Sequence, residues 1–127
     1  MIFVDTNVIM YAVGREHPLR PVAQRFFLDA LEEGEVLVSS SEVLQELLHT
    51  YLPVARIETL DAALTLAQSR LADVWPIEED DLRLARALVE RQPGLGARDL
   101  LHLACCRRRG VERIKTFDRA LSAAAAG

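Results

Sequence analysis

No stretch of this chain approaches the roughly 18 consecutive apolar residues that a membrane-spanning helix needs, which excludes a helical membrane anchor. The first residues, Met-Ile-Phe-Val-Asp, lack the basic region and small-residue cleavage site of a secretory signal, so a cytoplasmic protein is predicted. Cysteine is nearly absent. The two that occur, Cys105 and Cys106, are adjacent, which excludes a disulfide framework and a Cys-x-x-Cys metal or redox motif. They read as small residues on a helix in a reducing compartment. An overall positive charge is also missing. The net charge of −4 argues against a surface coated with cations for nucleic acid.

The charge is unevenly spread, however. Arg98 to Arg119 holds seven basic and three acidic residues, a local +4, which leaves −8 for the rest of a chain whose total is −4. Such an asymmetry is compatible with a local phosphate-contacting patch. The 127 residues fit one domain, long enough to bury a core without disulfides. Half the residues are hydrophobic and 27% are charged, the mix of an ordinary globular protein. Beyond an alanine run at 123–126 there is no repeat, linker or low-complexity segment, so residues 1–122 are expected to form the domain and 123–127 a fraying tail.

Short apolar runs alternate with helical patterns along the chain. Ile2-Phe3-Val4, Val36-Leu37-Val38 and Val74-Trp75-Pro76-Ile77 read as strands, the last at a sheet edge because of its proline. A fourth strand is predicted over 113–117. Between them, helices are predicted over about 6–13, 21–33, 41–51, 57–69, 78–91 and 97–109, with Gly34 and Gly110 placed to end two of them. Alternation of this kind implies an α/β fold, a mostly parallel central sheet covered by helices on both faces.

In open α/β sheets, ligands gather at the carboxyl ends of the strands. Asp5 directly follows the first strand and Asp118 the fourth, so parallel strands bring both acids to one edge. Asp99 lies in the first turn of its helix, close enough to face the same edge. Glu46 lies in the helix after the second strand, and Glu42, four residues earlier, shares its face. Several carboxylates brought together repel one another unless a divalent cation neutralises them. Mg²⁺ and Mn²⁺ prefer such oxygen ligands. A cation so held activates water and stabilises charge on a phosphoryl oxygen, with no need of a His, Cys or Ser nucleophile.

Four segments carry a family resemblance. Ile2-Phe3-Val4-Asp5-Thr6-Asn7-Val8-Ile9 resembles the opening of PIN-domain ribonucleases, particularly VapC-like toxins. Val38-Ser39-Ser40-Ser41 through Gln45-Glu46-Leu47-Leu48, Arg98-Asp99-Leu100-Leu101-His102-Leu103-Ala104 and Ile114-Lys115-Thr116-Phe117-Asp118 resemble the later motifs, in family order. The resemblance implies a three-layer α/β/α sandwich and Mg²⁺- or Mn²⁺-dependent hydrolysis of RNA that leaves 5′-phosphate and 3′-hydroxyl ends. It assigns Asp5, Glu46, Asp99 and Asp118 to the catalytic, metal-binding site, and Thr6, Asn7 and Thr116 to its support. Its Glu-Leu-Leu context favours Glu46 over Glu42. It also implies a homodimer and a partner antitoxin that covers or perturbs the acidic site.

Arg98, Arg107, Arg108 and Arg109 are candidates for RNA backbone contacts. His102, one turn after Asp99, is more simply a packed or exposed helical residue than a ligand. Two other readings compete. A haloacid-dehalogenase-type phosphatase would also place an aspartate after the first strand, but its second aspartate falls where Asn7 stands, and Lys115 is the only lysine. The other is a PIN-like protein that binds RNA without cleaving it.

Overall fold

Ile2–Val4 forms the first strand, β1, with all three side chains buried, and this run organises the rest of the molecule. A computed structural model describes residues 1–127. After β1 come α1 (Thr6–Val13), α2 (Leu19–Glu32), β2 (Leu37–Ser40), α3 (Ser41–Tyr51), a 3₁₀ turn (Leu52–Val54) and α4 (Ile57–Arg70). The chain continues through β3 (Asp73–Trp75), α5 (Glu79–Leu88), α6 (Ala97–Arg108), β4 (Arg113–Lys115) and α7 (Arg119–Ala126).

The four strands are all parallel, in the order β3-β2-β1-β4. Strands buried on both faces need continuous apolar runs, which is why Phe3, Val4, Leu37 and Val38 are almost wholly enclosed. The helices fall into two packed groups, α1 to α4 and α5 to α7, each with apolar side chains directed inward. The result is the expected three-layer α/β/α arrangement. No helix is long and apolar enough to cross a membrane.

Helix ends follow local chemistry. Gly34 and Gly110 take positive φ of 68° and 69° directly after α2 and α6, a conformation that side chains with a Cβ rarely adopt. β3 is an edge strand, and Pro76 lies just beyond it, where no ladder bond is lost. The second strand runs further than its apolar residues suggest. Ser39 and Ser40 complete it, and the Ser39 hydroxyl donates to the Val4 carbonyl at 2.9 Å. The fourth strand is shorter than expected, ending at Lys115 so that Thr116 to Asp118 form a loop at the sheet edge. The alanine run is not a frayed tail: Ala123 to Ala126 complete α7, and Ala124 is buried in a second apolar cluster that includes Leu100, Leu103 and Leu121. Alanine suits this position because it is a strong helix former that packs closely.

Candidate active site

The strand order fixes where the site must lie. The chain starts at β1, moves outward through β2 and β3, then returns to the other side of β1 as β4. The direction reverses between β1 and β4, and the crevice at such a reversal is where open α/β sheets place their ligands. Val4 pairs with Lys115 in register, so Asp5 and Thr116 leave the sheet side by side.

Asp5 is held from two sides. Its Oδ1 accepts from the Thr6 amide at 2.7 Å, which caps α1, and its Oδ2 accepts from the Thr116 hydroxyl at 2.7 Å. That hydroxyl is itself oriented, since Oγ1 accepts from Asp118 N at 3.0 Å and Asn7 Nδ2 at 3.4 Å. Asn7 also accepts from the Phe117 amide at 3.2 Å, tying the loop after β4 to α1. Asp118 caps α7 through Oδ1, which accepts from Leu121 N at 2.9 Å, and Oδ2 takes no part in that cap.

These residues surround one open cavity of about 520 Å³, lined among others by Asp5, Thr6, Asn7, Glu46, Arg98, Asp99 and Asp118. All four predicted acids are therefore brought together from β1, α3, α6 and the start of α7. Glu42 is not. One helical turn from Glu46, it borders a neighbouring apolar groove with Leu82, Ala85 and Arg86. A shared helical face does not mean a shared site, because four residues also advance about 6 Å along the axis.

The electrostatics are those of crowded acids. Burial pushes the Asp5 carboxyl above its ordinary value, with Glu46 adding repulsion, against the stabilising pull of His102, Thr116 and Thr6. Asp99 is also raised, first by burial, then by the charges of Asp118, Asp5 and Glu46. Glu46 behaves differently: burial opposes its charge, but the bond and charge of His102, with help from the Thr6 side chain and then Arg98, hold it below the usual range.

The sequence reads His102 as a packed or exposed helical residue rather than a ligand. It is packed, being 1% exposed, but it also belongs to the site. Nε2 lies 3.0 Å from Glu46 Oε1 and 3.5 Å from Asp5 Oδ1. The spacing Asp99-x-x-His102 carried this signal, because residues three apart on a helix project together. Burial lowers the imidazole pKa and the neighbouring carboxylates outweigh it, so the net direction is upward.

The arginines separate. Only Arg98 reaches the cavity. Arg107 borders a different hollow with Leu103 and Glu112. Arg108 and Arg109 turn to Asp81, each donating to its Oδ1 at 2.8 Å, and Arg109 also lies over the Trp75 ring at 4.9 Å. Of the four candidates for RNA contact, a buried carboxylate on α5 claims two, Arg108 and Arg109.

The donor set fits a hard divalent cation. Four carboxylates line one cavity, with the Thr6 side chain in its wall. No three acidic, His or Cys side chains close into a preformed cage. Mg²⁺ keeps several waters and takes few protein ligands directly, so its binding does not require a closed cage.

The chain belongs to the PIN-domain family, whose model matches residues 2–127 under the description PIN domain. Within that family its relatives are VapC proteins. It is 61% identical over 124 residues to Ribonuclease VapC23 of Mycobacterium tuberculosis, with 98% of each chain covered. The fold is similar to the crystal structure of VapC20 from Mycobacterium tuberculosis, described as a sarcin-ricin-loop-cleaving toxin, with a TM-score of 0.79, 23% identity, and coverage of 98% of this chain and 95% of that one. It is also similar to VapBC2 from Rickettsia felis, solved bound to a DNA fragment from its promoter, with a TM-score of 0.69, 22% identity, and coverage of 93% and 88%.

Proposed function

We propose that this protein is a Mg²⁺- or Mn²⁺-dependent endoribonuclease that hydrolyses RNA at the cavity between β1 and β4. The observation that carries this reading is the convergence of Asp5, Glu46, Asp99 and Asp118 on that cavity. The full-length similarity to Ribonuclease VapC23 supports RNA as the substrate.

Asp5, Glu46, Asp99 and Asp118 would hold the cation. When bound, it supplies an activated water and stabilises charge on the phosphoryl oxygen. The protein's part is placement. Thr6 N–H and the Thr116 hydroxyl fix both oxygens of Asp5, and Asn7 fixes the loop that carries Thr116 and Asp118. Arg98 is the cation of the cavity's protein wall and is suited to a phosphate oxygen of the substrate. The first amides of α6, preceded by Gly96 with no side-chain cap, add donors on the same wall.

Replacing Asp5 by Asn keeps the shape and an acceptor for the Thr6 amide while removing the charge. RNA cleavage by that variant should fall by more than about 100-fold, beyond what loss of an outer partner of a metal ligand produces. Unchanged cleavage, in protein free of other nucleases, contradicts the assignment.

A toxin role, with a homodimer and an antitoxin partner in the cytoplasm, is the narrower part of the reading. The VapC relatives support the toxin role, and the similarity to VapBC2 supports the antitoxin partner. Growth arrest on expression of the chain, absent for Asp5→Asn and relieved by a co-expressed antitoxin, is the expected outcome. Equal toxicity of both forms contradicts it.

A further inference from the structure

We propose that His102 is a positioning residue: its Nε2–H holds Glu46 Oε1 beside Asp5, so that an arriving cation meets this glutamate in one fixed orientation. The inference deepens the metal-dependent reading of the cavity and rests on it.

No backbone amide fixes the Glu46 carboxylate. Asp5 and Asp118 each cap a helix through a backbone amide, and each lies at the end of a strand or its loop. Glu46 instead sits mid-helix on α3, with a long side chain and several rotors to fix. The His102 Nε2 of α6 reaches it at 3.0 Å, a side-chain hydrogen bond from another helix. Glu42, a turn earlier, has no such bond and borders the apolar groove.

The packing of His102 points the same way. Its ring lies 5.4 Å from that of Phe3 and is 1% exposed, a position whose shape an apolar ring would also fill. Nδ1 is buried with no partner. An unpaired buried polar atom is unfavourable, so the contacts of Nε2 are what this histidine contributes at the position. Nε2 carries hydrogen both in the neutral tautomer that donates to Glu46 and in the imidazolium. The bond therefore stands in either protonation state. Asp99 and His102 share one face of α6, so the same helix supplies an acid to the cavity and the clamp for another acid.

The test compares His102→Phe, which keeps the ring and removes the donor, with His102→Gln, whose amide reaches the Nε2 position. Mg²⁺ is titrated against thermal unfolding, and RNA cleavage is measured on the same samples. The Phe variant should need roughly tenfold or more Mg²⁺ for half its thermal shift. Its kcat at limiting Mg²⁺ should fall in parallel, with KM for RNA within about twofold of the parent. The Gln variant should recover most of both losses. If the Phe variant gives no cooperative melt in EDTA, His102→Asn replaces it, since its shorter amide cannot reach Glu46. A parental Mg²⁺ midpoint in the donor-less variant, or Gln no better than Phe, overturns the proposal. A parent that shows no Mg²⁺ shift brings down the metal reading itself, and the role of His102 with it. A shift that is normal in the parent and equal in the Phe variant removes only the role of His102.

Discussion

Asp81 and Asp5 are both buried carboxylates, and their surroundings differ in kind. Asp81, fully enclosed, accepts from Arg108, Arg109 and the Glu78 amide, and forms a capping box with Glu78 at the start of α5. Burial alone would raise its pKa; the bonds from Arg109, the Glu78 amide and Arg108 outweigh it and hold the carboxyl well below the usual range. Asp5 accepts only from neutral donors, with an imidazole nitrogen 3.5 Å away, and its neighbours include Glu46 and Asp99. One acid has its compensating charges in the protein. The others share a cavity in which carboxylates outnumber cations. A protein tolerates the second arrangement where a ligand completes it, and perturbed groups in a cleft are a mark of such sites.

Substitutions at the two places should therefore have opposite signatures. The largest effect is expected on catalysis. Asp99→Asn should reduce RNA cleavage by more than about 100-fold without lowering stability in EDTA. A variant that cleaves normally removes Asp99 from the machinery. Next comes Asp81→Ala, which leaves two partly exposed arginines without their shared carboxylate and abolishes the capping box. It should destabilise the fold by about 2–4 kcal/mol in urea unfolding, the partial exposure of Arg108 and Arg109 moderating the penalty for a fully buried pair. Its cleavage rate per folded molecule should stay near the parental value. A large loss of rate with little loss of stability would merge the two regions and break the comparison.

The pH profiles sharpen it. Because the Asp81 pKa is depressed on folding, its stabilisation is present above the ordinary value of 3.8 and is lost as pH falls through the folded value. Asp81→Asn should flatten the acid limb of the stability curve. Asp5 and Asp99 have raised values, so the folded state holds protons that the unfolded chain has released. Their contribution falls as pH rises from 3.8 through the higher folded values. In EDTA the stability of Asp5→Asn should decline less steeply across that window than the parent's, and Mg²⁺ should offset the parental decline. Identical profiles would show that the acids do not strain the fold. The smallest effect is on metal-free stability itself. Asp99→Asn should raise it by no more than about 1 kcal/mol, because solvent screens charge at this half-exposed position. A clear loss would mean that Asp99 supports the fold.

The two regions also differ in how far the sequence disclosed them. Asp5 and Asp118 were legible because a strand end is a local signal, and parallel pairing carries both to the same edge. Glu46 needed more than periodicity, since Glu42 shares its face and only the axial offset along α3 separates them. Asp81 was visible as one of several acids in a helix first turn, but nothing local shows that it is the one that burial encloses. Its partners lie 27 and 28 residues away, so the arginines of 107–109 read as a free basic cluster until α5 and α6 are packed together. The alanine run misled for a related reason. Small residues without charge resemble a tail, and only the α7 packing against α6 makes Ala124 part of a core.

On the function proposed above, the acids around Asp5 take up a divalent cation, and RNA cleavage depends on it. Thermal stability and RNA cleavage should be followed together as Mg²⁺ is added to EDTA-treated protein. The account predicts that both rise along one saturation curve, and that Asp5→Asn shows neither. Full cleavage in EDTA, or cleavage with no accompanying Mg²⁺-dependent stabilisation, would contradict it.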